Sequence, residues 1–276
     1  MRIILQTILL STLVIFSSSL LAEDDPLDSP WPSNLSKPAA SDETSLKIIE
    51  LHLKARGGEG NLAQFKGLKA EGQLIEGKLD YTIEALFRAP DALIIKSTRR
   101  HLGDDYVTAR ATNGSDAWHR SYLPDRSLPA NLNADDKRDL EIMAGTPFMF
   151  LNAKTSGNIF AYRGERKFSG KPVYIIHAWL KNGHRVEAFF DSQSFHIINY
   201  RQVYRFGPKN MLVDRVPTGL TRIGQTWWEE GYKYGIRGKY FREFKFPEIR
   251  QTPDPGVDLF NMPPSGERWI RGNSSD

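Results

Sequence analysis

Between Ile159 and Phe206 the chain reads as four strand-length stretches whose joints are too short for anything but antiparallel hairpins. The stretches are Ile159 to Phe168, Pro172 to Leu180, His184 to Phe190 and Phe195 to Phe206. Ser169-Gly170, Asn182-Gly183 and Asp191-Ser192-Gln193-Ser194 join them. Gly and Asn tolerate the positive φ that tight hairpin turns demand, which is why they mark such turns. Parallel neighbours need a crossover of about a dozen residues. No such strand–helix alternation occurs along the chain, which argues against a parallel α/β enzyme fold.

The first half continues the pattern. In Leu79 to Phe87, the residues Leu79, Tyr81, Ile83, Ala85 and Phe87 alternate with a mostly polar set. Strand side chains point to opposite faces in turn, so this segment has one apolar and one polar face. Pro90-Asp91 turns the chain into Ala92 to Thr98, and Asn113-Gly114 joins Tyr106–Thr112 to Ala117–Tyr122. Two helices are expected. One runs from an Asp42 cap to about Arg56, with Leu46, Ile49 and Leu53 at helical spacing and Gly57-Gly58 as its stop. The other runs from about Asn133 to Ala144, with Asp135 and Asp136 in its first turn. The expected order is one helix, about four strands, one helix, then about six or seven strands, several of them short ones between Met211 and Phe246. From Thr252 the chain reads as irregular. A mainly β (α+β) fold follows: a large antiparallel sheet that must curl toward a half-open barrel and bury its apolar face under helices.

The N-terminus has the parts of an export signal: Arg2, an apolar run from Ile3 to Leu21, and Ala22 before Glu23-Asp24-Asp25-Pro26. Residues 1–22 are read as a signal peptide cleaved near Ala22; an uncleaved anchor is the alternative for the same run. Residues 23–41, rich in Pro, Ser and Asp, read as a disordered leader. Residues 42–263 read as one domain and 264–276 as an irregular tail. Removing 22 of the 276 residues leaves about 254, enough for a sizeable core. No second apolar run reaches membrane-spanning length, so the mature chain is expected to be periplasmic and soluble. The chain holds no cysteine, which excludes disulfides, thiol catalysis, Cys-based zinc sites and a lipidated cysteine. The net charge of +4 does not suggest a nucleic-acid partner. From Asn199 to Arg250 there are eleven Lys and Arg against five Asp and Glu. These read as a solvated basic face; attraction to anionic lipid headgroups is the sharper alternative.

A search for chemistry finds little. Gly164 to Lys171 has a Gly-Lys pair, but its spacing is one residue too long for a phosphate loop and Pro172 stands where a Ser or Thr would be needed. His177, His184 and His196 fall on neighbouring strands with Asp191 between them, yet they match no metal-ligand spacing. No Gly-x-Ser-x-Gly elbow occurs, and Glu229-Glu230 and Asp135-Asp136 are too close in sequence to face each other as a catalytic pair. No catalytic residue, metal or cofactor is expected; a hydrolase whose Asp and Glu side chains converge from separate strands is the remaining enzymatic alternative. Aromatic content stands out: Tyr200, Tyr204 and Phe206 share a parity with Ile198, and Trp227 to Phe246 is crowded with rings. Aromatics are good strand and core residues, and they also line apolar ligand sites. Trp227-Trp228-Glu229-Glu230-Gly231 reads as a loop at the mouth of such a site.

Several motifs occur in an order that resembles one known superfamily. A helix ending in Gly-Gly (Leu46 to Gly58) precedes a strand (Gly67 to Gly77) and then Phe87-Arg88-Ala89-Pro90-Asp91-Ala92-Leu93. Thr112 to Trp118, the meander from Gly164 to Tyr200 and the closing Asp258-Leu259-Phe260-Asn261-Met262-Pro263 follow. Together these resemble the LolA/LolB-like lipoprotein carriers of the periplasm, over most of residues 44 to 263. The resemblance implies a half-open β-barrel with a hydrophobic cavity and a non-catalytic role in carrying lipid or lipoprotein acyl chains. It allows inner- or outer-membrane protein partners, and envelope-stress sensing or protein interaction on the same fold is the alternative role. For ligand lining, the apolar side of the clearest strand is the expectation: Leu79, Tyr81, Ile83 and Phe87; ordinary core under a helix is the rival reading.

Overall fold

The computed structural model describes residues 36–264 except 102, 123–127 and 207–208. The expected signal peptide, most of the leader and all but the first residue of the expected tail lie outside the described residues. Helix α1 (Glu43–Ala55) and the short α2 (Glu59–Leu62) come first. Six strands follow: β1 (Gly67–Glu76), β2 (Leu79–Arg88), β3 (Ala92–His101), β4 (Asp104–Thr112), β5 (Ala117–Tyr122) and β6 (Ala130–Asn131). After α3 (Ala134–Gly145) come β7 (Ile159–Phe168), β8 (Lys171–Trp179), β9 (Arg185–Asp191), β10 (Ile197–Phe206) and β11 (Lys209–Pro217). The hairpin β12 (Leu220–Ile223) and β13 (Thr226–Glu229) leads to β14 (Gly231–Ile236) and the long β15 (Lys239–Thr252). Six strands rather than about four precede α3 and nine rather than six or seven follow it: β1 is the strand expected from Gly67 to Gly77, and β6, β12 and β13 are too short to show a period.

Thirteen strands form one antiparallel sheet in the order β6-β5-β4-β3-β2-β1-β15-β14-β11-β10-β9-β8-β7. Most neighbours are hairpin partners, but β1 pairs with β15 from Gly67↔Thr252 to Glu76↔Arg242, joining the first strand to the last. At Gly72 the pairing shifts, and a Cβ there would lie 1.8 Å from the Lys245 carbonyl oxygen. Only glycine lets the two backbones approach so closely. Helix α3 touches β3, β4 and β5 near one end of the order and also β10 well toward the other. One short helix can reach both only if the sheet curls around it. The end strands do not pair with each other, so the barrel is half open.

Both long helices start as their caps predict. Asp42 Oδ1 accepts the Ser45 amide at 2.8 Å, and Asn133 Oδ1 accepts those of Asp135 and Asp136. The Asp42 cap also anchors α1 on the end strand β7, where the Tyr162 amide donates to Asp42 Oδ2 at 2.6 Å and the Phe160 amide to Ser41 Oγ at 3.0 Å. These bonds occupy a strand edge that would otherwise invite another chain. The main core lies between the concave face of the sheet and the helices, joining Ile49 and Leu53 of α1, Ile83 and Phe87 of β2, and Leu140, Ile142 and Met143 of α3. Two smaller clusters sit on the convex face. One is closed by a 3₁₀ turn at Val257–Phe260, which buries Phe260 and accepts the Trp118 indole N–H on its carbonyl at 2.9 Å. The segment after Thr252 is therefore not wholly irregular, because Phe260 tethers it. No helix among the described residues is long and apolar enough to cross a membrane.

Candidate functional site

A polar row crosses the concave face. The register places Tyr200 (β10) opposite Arg215 (β11), Arg215 opposite Tyr234 (β14), Tyr234 opposite Arg242 (β15), and Arg242 opposite Glu76 (β1). Side chains in register on one face of a sheet are neighbours. The Arg215 Cζ lies 4.7 Å from the Tyr200 ring centre and 4.3 Å from that of Tyr232. Arg242 Nε donates to Glu76 Oε1 at 2.5 Å, and its Nη1 to Asp139 of α3 at 3.4 Å. Asp139 also accepts from the Tyr204 hydroxyl and from Gln202 Nε2. At the other end of the row the Tyr200 hydroxyl donates to Glu229, which faces Arg56, and the Arg56 guanidinium lies over the Trp228 ring at 4.8 Å.

Burial governs the electrostatics of this row. It raises the pKa of Asp139 against the pull of Arg242, Arg110 and Arg215, and it lifts Tyr200 well above the usual phenol range. Tyr234 is pushed up to about 12, again mainly by burial. Burial opposes the charge on Arg215 and the surrounding tyrosine hydroxyls outweigh it, so Arg215 stays cationic. At neutral pH the row therefore holds neutral phenols around fixed cations.

Beside the row the sheet splits. Pairing between β9 and β10 stops at Arg201↔Glu187, while β10 runs on to Phe206 and the start of β9 stays with β8. An opening of about 430 Å³ lies at this parting, bounded by Ala134, Arg138 and Ile142 of α3, by His184 and Arg185, and by Val203. His184, on its rim, has its Nε2 2.6 Å from Glu141 Oε2 of α3. Inward of α3 a closed space of about 20 Å³, room for about one water, lies among Leu74, Ile95, Leu140, Met143 and Phe244 with Arg110, Asp139 and Arg242. Buried side chains of the main core fill the concave face beside them.

The four residues expected to line a ligand share the concave side of β2, but not equally. Ile83 and Phe87 are buried in the main core and Tyr81 packs half-buried against it, whereas Leu79 lies 37% exposed at the strand's start. The reading of the 199–250 cations as one solvated face is corrected: Arg201 and Arg215 are buried and Arg242 is only one-fifth exposed, while Lys245 and Arg250 face solvent. Strand alternation put the first three beneath a lid or against a partner, which a charge count ignores. Trp227-Trp228 is likewise no loop. It lies in β13, where Trp228 is core against Phe65 and Phe148 and only Trp227 is partly exposed. The shared parity of Ile198 and Tyr200 fails because pairing shifts between Ile197 and Asn199, sending Ile198 to the convex cluster and Tyr200 to the main core. His177, His184 and His196 form no metal cluster with other ligating residues among those described. Arg215 and Asp139 drew no notice in the sequence; the one hint for Arg215 was its shared parity with Met211 and Val213 on β11.

No known protein family matches the sequence, and no curated protein does either. Solved structures do. A DUF1329 family protein from Desulfovibrio piger superposes with a TM-score of 0.53 at 12% identity, over 80% of this chain and 98% of its own. A LolA superfamily protein from Nitrosomonas europaea gives 0.51 at 11% identity, over 79% and 97%. A putative outer membrane lipoprotein-sorting protein domain from Vibrio parahaemolyticus gives 0.50 at 13% identity, over 79% and 97%. The chain thus has the LolA-like fold that its ordered motifs implied.

Proposed function

We propose that this chain is a non-catalytic carrier or binder of lipid or lipoprotein acyl chains, exported to the periplasm, with residues 42–263 as its binding domain behind a leader at 23–41. The observation that carries this reading is the parting of β9 from β10 under α3, which gives a side entrance to an aromatic, apolar concave face on a LolA-like fold. An acyl chain costs about 0.8 kcal/mol for each CH₂ left in water. A protein that covers a dozen carbons therefore offsets about 10 kcal/mol of exposure without any covalent step. Because the face is filled, the ligand enters by lifting α3, and Tyr81, Ile83 and Phe87, with Leu79 at the rim, become the wall opposite the helix.

The test is mass spectrometry of lipids extracted from the protein purified from a periplasmic fraction. A stoichiometric acylated species is the expected result, and Ile83→Asp in a folded protein should abolish it. An empty protein that also takes up no fluorescent acyl probe would overturn the reading. N-terminal sequencing of the same sample is expected to start at Glu23. The filled concave face favours one other reading, a protein-interaction or envelope-sensing module that needs no cavity. An empty protein that retains an envelope protein on crosslinking would select it.

A further inference from the structure

The side chain that core packing alone least explains is Arg215. It is 1% exposed, and among the described residues none of its three guanidinium nitrogens completes a hydrogen bond or an ion pair. The Tyr234 hydroxyl interacts with it as a side-chain partner without reaching full hydrogen-bond geometry, so most of its donors stay open. A guanidinium carries five N–H donors, and leaving such donors unmade in a core costs more than any other common burial. Contacts with the Tyr200 and Tyr232 rings compensate the charge in part but satisfy no donor. A methionine would fill the same space at no such cost. The other cation of the row is different: Arg242 already has Glu76 and Asp139.

The neighbouring row on the same face is apolar. Tyr232 stands opposite Phe244, Phe244 opposite Leu74, and Leu74 opposite Tyr81. It begins beside Arg215, since Tyr232 touches it, and ends at the β2 wall. A fixed buried cation at the head of an apolar path has the shape of a receptor for one kind of molecule. We propose that Arg215 is the head-group anchor for a single-chain anionic amphiphile, whose carboxylate or phosphate oxygens take the open guanidinium donors while its chain lies over Phe244 and Leu74. The proposal rests on the acyl-binding reading and narrows it. The ester- and amide-linked chains of a lipoprotein carry no anion and would leave Arg215 unsatisfied. A charge-assisted, two-pronged contact in a dry site is what an arginine makes best with an oxyanion.

The experiment is equilibrium dialysis of the mature, delipidated protein at pH 8 with laurate, dodecyl phosphate, dodecanol, acetate and inorganic phosphate. Laurate or dodecyl phosphate is expected to bind at least about tenfold more tightly than dodecanol, the tighter of the two naming the head; acetate and phosphate should not bind. Arg215→Met should reduce the anion's affinity to that of dodecanol while its melting temperature stays at or above that of the unaltered protein. Should that variant not fold, Arg215→Lys, which keeps charge but loses the fork, should narrow the preference several-fold. Equal binding of laurate and dodecanol would overturn the head-group assignment and leave acyl binding standing. No binding by any twelve-carbon compound would overturn both. Acetate or phosphate binding as tightly as laurate would overturn the amphiphile, and an anion preference that survives in Arg215→Met would overturn the role of Arg215.

Discussion

Arg215 and Gly72 respond to substitution in opposite directions. Arg215 sits fully buried between tyrosine rings with its donors unmade. Replacing a buried charge of this kind with an apolar side chain of similar volume often raises stability by about 1–4 kcal/mol. Arg215→Met is expected toward the lower end of that range, because it also loses two cation–π contacts, and urea denaturation would measure it. Gly72 has the opposite sensitivity. A methyl group there would meet the Lys245 carbonyl oxygen and carbon at 1.8 and 2.8 Å, both backbone atoms held in the β1–β15 ladder. Gly72→Ala is expected to cost about 3 kcal/mol, as substitutions that force strained backbone do. Gly60→Ala is its control: nothing lies within 4 Å of the added atom, and the residue is in α2. Its stability should stay level or rise by about 0.5 kcal/mol.

At the scale of elements, the proposed entry route depends on α3. It packs Leu140, Ile142 and Met143 on the sheet, and Asp139 fixes its position through Tyr204 and Gln202 on β10 and Arg242 on β15. Polar contacts of this kind are directional and buried, so removing one side leaves its partners unmet. Asp139→Ala should therefore destabilise the fold by about 3 kcal/mol by leaving buried partners unmet. It should also speed amide exchange across 134–145 and the uptake of an acyl probe. Slower uptake in that variant would remove α3 from the entrance.

For the whole molecule, two buried histidines contribute strongly to the response to acid. His177 is lowered to about 3, chiefly by burial and then by Arg163 and Arg185; His52 is lowered well below its ordinary value by burial and by Arg56. A histidine whose pKa falls on folding contributes stability above its unfolded pKa of about 6.5 and loses it as pH drops toward the folded value. Below about pH 6.5 His177 alone should cost about 1.4 kcal/mol per unit, a loss that His177→Gln would flatten. Asp139 acts with the opposite sign. Its pKa is raised on folding, so its ionised form weighs on the fold at neutral pH and acid relieves that weight. Urea midpoints at pH 7 and pH 5 should still fall with acid, since the lowered His52, His177 and His196 oppose the raised Asp139 and Glu187.

What the sequence determined alone is what short-range physics decides. Period-two runs, Asn-Gly and Ser-Gly turns, and the caps Asp42 and Asn133 involve residues a few positions apart, and the hairpins and both long helices follow from them. The likeness to the LolA-like fold was also legible, because the motifs that carry it are turns and strand ends in a set order. The candidate site was not. Arg215 is buried because β11 pairs with β10 and β14, and Trp228 is core because Arg56, Phe65 and Phe148 come to it from distant parts of the chain. A shift of one residue in β10 reverses which side chains face inward. Which face is buried, and which cation goes under with it, depends on registers between strands far apart in sequence, and only the folded sheet decides those.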